Sequence, residues 1–353
     1  MAFRAVGQSI QKKSPNDVVF LSAVRSPITK AFKGGFKDAW PEDILRPVMR
    51  EATRRANIQP GDVQDVLIGN VLAELGFSKT GRMALNDCGF PVSTTFHTVN
   101  RQCSSSLQAI THQAHAILAG QIDVALAGGV ESMSKNYASR GRPTDVSPSL
   151  QASTVKHATD CLLPMGVTSE NVARRYVVSR EDQDDYAFLS HQRAEAAQAA
   201  GKFESEIVPI TYSSPVEIDG TKQTTTFTIS RDDTIRPGVK REKLGTLKPA
   251  FAEDGASTAG NSYAGVELKD IDVLEINEAF ASQVLYVLRA LGLDVDKVNP
   301  NGGAIALGHP TAATGARQAA TLLAELERSD RELGIVSMCT SGGHGVASLI
   351  IRE

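Results

Sequence analysis

The sequence predicts an α/β protein made of two similar halves, each a mostly parallel sheet covered by helices. Three observations carry this expectation. Residues 16–132 alternate β-rich and amphipathic segments, the rhythm of βαβ units. Residues 133–250 lose that rhythm. From Asp270 it resumes, with segments that match those of the first half in order.

The elements follow one by one. Residues 1–15 are polar and basic without an apolar centre, so they read as a flexible arm, a candidate for targeting, rather than a secretory signal. Val18–Val24 is an apolar β-rich run and predicts an opening strand, and Glu42–Ala56 has helical spacing. Val66–Val71 predicts a second strand. A β-branched approach through Phe96, Thr98 and Val99 then breaks into small residues, followed by an amphipathic run to Leu118, which reads as strand, sharp turn and helix. Ile122–Ala127 is a further strand ending in Gly128-Gly129. Residues 133–250 hold a Ser/Thr-rich loop (Ser134–Thr159), a charged helical stretch (Ser169–Ala200) and a β-rich portion (Glu206–Ile229). This segment reads as an excursion placed to close over a site.

Residues 251–353 form a shortened second half. Ile271–Asn277 resembles Val63–Asn70 in pattern, the Gly308–Leu326 turn and helix match Gln102–Leu118, and Gly334–Cys339 matches Asp123–Gly128. Nothing after residue 250 corresponds to the opening strand at Val18–Val24 or the helix at Glu42–Ala56. The repeat therefore predicts that the second half lacks its first strand and helix.

Composition narrows the function classes. A chain of 353 residues buries a large core in one or two domains. A net charge of −3 without a long basic run argues against a nucleic-acid partner, and no apolar run approaches a membrane span. Four scattered cysteines (Cys88, Cys103, Cys161, Cys339) make no disulfide framework, and no metal-ligand spacing is present. His112 and His115 lie three apart without a carboxylate or Cys partner and read as surface or packing residues.

Four segments carry candidate chemistry. Cys103 falls at or near a helix start, where backbone N–H groups and the helix dipole favour a thiolate; a buried, inert thiol is the competing reading. Glu275-Ile-Asn277-Glu278-Ala-Phe280 puts polar side chains at a strand end. Asn301–His309-Pro310 brings a histidine to the start of a helix with Pro310 at its first position, and Val336–Gly345 ends a strand in Cys339 and a Gly-rich turn. A cysteine nucleophile needs a base such as His309, and an oxyanion needs fixed donors such as Asn277 and turn N–H groups.

At this point the residues carry a resemblance. Asn100-Arg-Gln-Cys-Ser-Ser-Ser-Leu-Gln-Ala109, Asn277-Glu-Ala-Phe280, Gly302-Gly-Ala-Ile-Ala-Leu-Gly-His-Pro310 and Ser337-Met-Cys339 resemble the signature segments of thiolases, most closely the peroxisomal 3-ketoacyl-CoA thiolases. Arg25-Ser-Pro27 and Gly129-Val-Glu-Ser-Met133 extend the likeness over nearly the whole chain. The resemblance implies an αβαβα layered fold, a homodimer or homotetramer, and acyl exchange with coenzyme A as co-substrate and no resident cofactor or metal. It implies that Cys103 is the acylated nucleophile, His309 its base and Cys339 the acid/base at the α-carbon, while Asn277 holds an oxyanion-hole water. It further implies oxyanion or support roles for Glu278, Ser341 and Gly343, and substrate or CoA contacts for Arg236, Met165 and Ser262. Pro164-Met165 resembles the degradative, broad-chain group. A decarboxylating ketoacyl synthase is disfavoured because that group carries His where Cys339 stands. The implied compartment is the peroxisome, with the cytoplasm as the alternative.

Three departures from the signatures stand out. Ser341 replaces the Gly of the Cys-x-Gly turn, where positive φ is expected to strain it. His344 replaces an apolar residue, and Thr311-Ala312-Ala313 replaces a helix start that usually contains Gly. With the shortened second half, these leave a catalytically impaired, acyl-CoA-binding protein as the alternative function.

Overall fold

The computed structural model describes residues 13–218, 221–248 and 271–352. Counting helices of ten or more residues, the first half runs α1 (Pro41–Arg55), β1 (Asp65–Gly69), α2 (Ser78–Asp87), β2 (Thr95–Val99), α3 (Ser105–Leu118) and β3 (Ala125–Gly129). The excursion holds α4 (Met165–Arg175), α5 (Arg180–Ala199) and a hairpin, β4 (Ile210–Ile218) with β5 (Thr221–Ile229). The second half follows with β6 (Val273–Ile276), α6 (Ala281–Leu291), α7 (Thr314–Ser329), β7 (Leu333–Thr340) and β8 (His344–Ile351).

Local sequence explains the helix starts. Pro41 opens α1, with Glu42 and Asp43 in its first turn and Arg54 and Arg55 in its last, charges that complement the helix dipole. A capping box opens α5: the Ser179 hydroxyl accepts from the Asp182 N–H at 3.0 Å, and the Asp182 carboxylate accepts from the Ser179 N–H at 3.0 Å.

The packing gives five layers. The first sheet has the order β2-β1-β3, all parallel, and the second the order β6-β7-β8, with β6 and β7 parallel and β8 antiparallel to β7. Helices α3 and α7 pack on each other between the sheets, α3 touching β1, β3 and β8, and α7 touching β6, β7 and β3. Strand alternation sorts the side chains between layers. Val273, Val336 and Met338 face inward onto Leu107 and Leu322. Leu274, Ile276 and Ile335 face outward onto Tyr186, Val284 and Val287 of α5 and α6. On the other outer face, Ile44, Met49 and Leu85 of α1 and α2 pack against Val66 and Ile68.

The internal repeat is real in space. β1, α3 and β3 correspond to β6, α7 and β7, and the place beside β6 that β2 holds beside β1 is taken by Val298, which bridges Leu274 in parallel. One element differs from expectation. Among the described residues Val18–Val24 joins no ladder, and Arg25, just after it, bridges Ile207. Val19 and Leu21 are exposed, and an apolar cavity of about 810 Å³ lies between this segment, α1 and β3. The segment is anchored at its end instead, because the buried Arg25 guanidinium pairs with Glu206 at 2.6 Å and with Asp232 at 2.8 Å. The Thr258–Asp270 junction, where the repeat predicts the missing strand and helix, lies outside the described residues, as do Ser262 and most of the 1–15 arm.

The approach of α3 to α7 requires glycine at residue 315. A Cβ there would lie 2.6 Å from the Leu107 Cβ and 2.7 Å from the Leu107 backbone nitrogen. Gly315→Ala should therefore overpack the central layer and destabilise the protein by about 1–3 kcal/mol, read from chemical denaturation.

Candidate active site

The turn that carries Cys103 is held by its own side chains. Gln102 adopts φ 50°, a left-handed conformation that costs a non-glycine residue energy. Asn100 accepts from the Gln102 N–H at 3.0 Å, and the Ser105 hydroxyl accepts from the Arg101 N–H at 2.9 Å while donating to the Gln102 carbonyl at 2.5 Å. The Ser104 hydroxyl donates to the Arg101 carbonyl at 2.9 Å. The Asn-Arg-Gln-Cys-Ser-Ser run is thus a self-bonded elbow between β2 and α3.

Cys103 precedes the Ser104 N-cap rather than lying in the first turn of α3, and it packs against the cluster of Leu107, Val336 and Met338. This corrects the expectation of a lowered thiol pKa. Burial pushes Cys103 up to about 11, a backbone hydrogen bond only partly opposes it, and the Glu131 carboxylate adds to the rise. Cys339, fully buried at the end of β7, is pushed well above the ordinary thiol range by burial and then by the neighbouring Cys103.

His309 lies before α7, not at its first turn: Pro310 leads into a short 3₁₀ turn, Thr311–Ala313, and α7 starts at Thr314. Its Nδ1 lies 2.7 Å from the Thr314 hydroxyl, while its buried Nε2 has no partner. Burial, then the Arg317 guanidinium, lowers the imidazole to about 4. At neutral pH the resting pair is thus neutral thiol and neutral imidazole, not thiolate and imidazolium. The proton must leave Cys103 as the sulfur bonds to an acyl carbon.

Asn277 follows β6, where its N–H donates to the Ser337 carbonyl at 2.8 Å. Its side chain is fully buried, and neither Oδ1 nor Nδ2 has a partner. Buried amides are almost always bonded, so the Asn277 amide and His309 Nε2 are each free to bond a ligand oxygen or water. The next residue differs. Glu278 accepts from Tyr186, Ser190, Asn299 and the Ile305 N–H at 2.6–3.1 Å. It is an acceptor already fully engaged and therefore supports the 299–305 turn, not an oxyanion.

The remaining residues divide. Ser341 is half-buried and, with Gly342 and Gly343, makes the turn between β7 and β8. Gly342 (φ 87°) and Gly343 (φ 83°) take the left-handed positions and Ser341 does not, so the expected strain at Ser341 is absent. Ala312 is likewise free of positive φ, and Thr311 donates to Glu131 at 2.8 Å. Met165 is half-buried at the start of α4. Arg236 is exposed near His191 of α5, whose pKa burial and then Arg236 depress.

The sequence reading missed three groups. Glu131 accepts from the N–H groups of Val71 and Leu72 at 3.1 and 3.2 Å as well as from Thr311, tying the His309 loop to the first sheet. Arg317 and Glu275 form a buried pair at 2.7 Å behind His309 and Asn277. The available signal was an Arg among Ala, Gly and Leu in α7 and a Glu inside an apolar strand. Among the described residues no group of three or more His, Cys, Asp or Glu side chains is placed to hold a metal ion, and no helix is long and apolar enough to cross a membrane.

A layered α/β fold with a cysteine elbow beside a second, buried cysteine, and with a neutral buried histidine and an unpaired buried amide, fits an enzyme of acyl transfer through a thioester. The family descriptions "Thiolase, N-terminal domain" and "Thiolase, C-terminal domain" match residues 18–264 and 233–352, and the chain belongs to the thiolase family. A peroxisomal 3-ketoacyl-CoA thiolase of Yarrowia lipolytica is 41% identical, the match taking in 98% of this chain and 95% of that one. The peroxisomal 3-ketoacyl-CoA thiolase 2 of Arabidopsis thaliana is 42% identical over 96% of this chain and 84% of its own. The crystal structure of the dimeric peroxisomal thiolase of Saccharomyces cerevisiae superposes with a TM-score of 0.87 at 37% identity, covering 98% of this chain and 100% of that chain. Matches of this extent do not support the expectation that the second half lacks its first strand and helix.

The raised thiol pKa is testable without substrate. The rate of Cys103 alkylation by iodoacetamide, read by peptide mass spectrometry, should still be climbing above pH 9 and level off only near 11. An apparent pKa near or below 8.5, the value of a free thiol, would instead mean a helix-activated thiolate.

Proposed function

We propose that the protein is a 3-ketoacyl-CoA thiolase of fatty-acid β-oxidation, an acetyl-CoA C-acyltransferase that cleaves 3-ketoacyl-CoA to acetyl-CoA and a shortened acyl-CoA. The observation that carries the reading is the Cys103 elbow joined to the strand end that carries Cys339, in a molecule that also holds two unpaired buried groups, His309 Nε2 and the Asn277 amide. The names of the matched relatives support the substrate class. In the resulting sequence the Cys103 sulfur adds to the 3-keto carbon as its proton passes to His309. The C2–C3 bond breaks, and its electron pair becomes the enolate of acetyl-CoA. Cys339, held protonated by burial, gives its proton to C2. The thiol of a second CoA gives its proton to the Cys339 thiolate and attacks the acyl carbon; the bond from that carbon to the Cys103 sulfur breaks, the sulfur takes back the proton held by His309, and the shortened acyl-CoA leaves.

Asn277 and the water it holds stabilise the oxyanion, Arg236 meets the nucleotide end of CoA, and Met165 lines the acyl side. CoA is consumed as co-substrate. The peroxisomal location follows the compartment named for the relatives. A homodimer follows the assembly named for the yeast structure, and the edge of β2 away from β1 carries no strand among the described residues. The alternative of an impaired acyl-CoA-binding protein finds no support: neither Ser341 nor any residue of Thr311-Ala312-Ala313 takes a positive φ.

Incubation with acetyl-CoA followed by digestion should place an acetyl group on the Cys103 peptide, and an unlabelled Cys103 with intact thiols would overturn the reading. His309→Asn should lower thiolysis kcat/KM by about 10²–10⁴-fold, the usual contribution of a general base. Cys339→Ala should lower the rate of carbon–carbon cleavage by a comparable factor while leaving alkylation of Cys103 in place.

A further inference from the structure

We propose that Thr340 is a positioning residue whose hydroxyl, bonded to Ser104, sets the spacing between the strand end carrying Cys339 and the elbow carrying Cys103. The inference rests on the roles assigned to those two cysteines above. Thr340 is the x of the Cys-x-Gly segment, so the family signature leaves its identity open. Its hydroxyl donates to the Ser104 hydroxyl at 2.5 Å, across a separation of 236 residues and from one half of the molecule to the other. Ser104 in turn donates to the Arg101 carbonyl at 2.9 Å. Thr340 is 3% exposed and Ser104 0%, so water does not replace either bond without cost. Each hydroxyl has one proton, and both are committed along a single line: Thr340 to Ser104 to the backbone of the elbow.

The two ends of this line sit immediately beside the two thiols. Thr340 follows Cys339 as the last residue of β7, and Ser104 follows Cys103 as the N-cap of α3. The apolar cluster that Cys103 shares with Val336 and Met338 also joins these segments, but apolar contact is not directional. The hydrogen bond is directional and fixes their register. Cleavage needs both thiols at adjacent carbons of one substrate, Cys103 at the carbonyl carbon and Cys339 at the α-carbon. A misplacement of about 1 Å in such a pair costs about 10²-fold in rate. Alkylation of Cys103 alone has no such requirement.

Thr340→Val keeps the shape and removes the donor, while Thr340→Ser keeps the donor. With acetoacetyl-CoA and CoA as substrates, Thr340→Val should lower kcat by about 10–10²-fold with little change in KM. The rate of Cys103 alkylation should stay at the wild-type value, and Thr340→Ser should restore most of kcat. Ser104→Ala should reproduce the loss, and the double variant should be no worse than either single one, because both cut the same line. The proposal is overturned by a Thr340→Val kcat within about twofold of wild type, or by a Thr340→Ser enzyme as slow as Thr340→Val. It is also overturned if kcat and Cys103 alkylation fall together, the sign of a general structural defect. If Thr340→Val does not fold, Ser104→Ala and Thr340→Ser carry the same comparison. Absence of thiolysis in the unaltered protein would sink the cysteine assignments, whereas non-additive melting temperatures of the Thr340 and Ser104 variants would still read the bond itself.

Discussion

The rest of the molecule depends on the close contact of two helices between two sheets. Gly315 of α7 lies against Leu107 of α3, and the Ala316 N–H donates to the Ser106 hydroxyl at 2.9 Å. Both helices start beside a chemical group, Cys103 for α3 and His309 for α7. A larger residue at 315 would drive the two starts apart. The outer layers, the excursion and the buried pairs act as supports for that one approach. Glu131 braces the His309 loop from the first sheet, and Glu278 braces the 299–305 turn with hydroxyls from α5.

Burial sets the electrostatic character of the site. It raises both cysteines and lowers His309, so each group is held in its neutral form. A dry, neutral site suits chemistry in which charge appears only transiently, on an enolate or a tetrahedral oxyanion, because fixed donors act strongly there. The same dryness is costly elsewhere. Glu275 is pushed up to about 8 by burial even though Arg317 opposes it, and two of the Arg317 nitrogens are unpaired. That buried pair contributes little as a stabilising contact and more as a fixed positive charge beside His309.

The residues that depart from the thiolase signatures are absorbed locally. Thr311 donates to Glu131 and so ties its turn to the first sheet. Ser341 leaves the left-handed positions of its turn to Gly342 and Gly343, one step further along. In each case a hydroxyl or a shifted glycine replaces one local constraint by another.

The two-half α/β plan and the order of most elements were legible in the chain, and so were the four side chains proposed for catalysis, because these are written in local periodicity and in short, self-contained turns. Asn100, Ser104 and Ser105 bond within five residues of Cys103, so the elbow is legible from its own segment. Protonation states and long-range partners came from the folded arrangement instead. Proximity to a helix start pointed to a thiolate, but desolvation by residues of a distant strand, Val336 and Met338 of β7, outweighs it. Glu278 resembled a site residue by its place beside Asn277, yet side chains of α5 occupy it. Val18–Val24 had the composition of a strand and found no ladder, since a strand needs an edge to pair with and its own sequence does not supply one. Burial and long-range pairing depend on which segments meet, and no single segment records that.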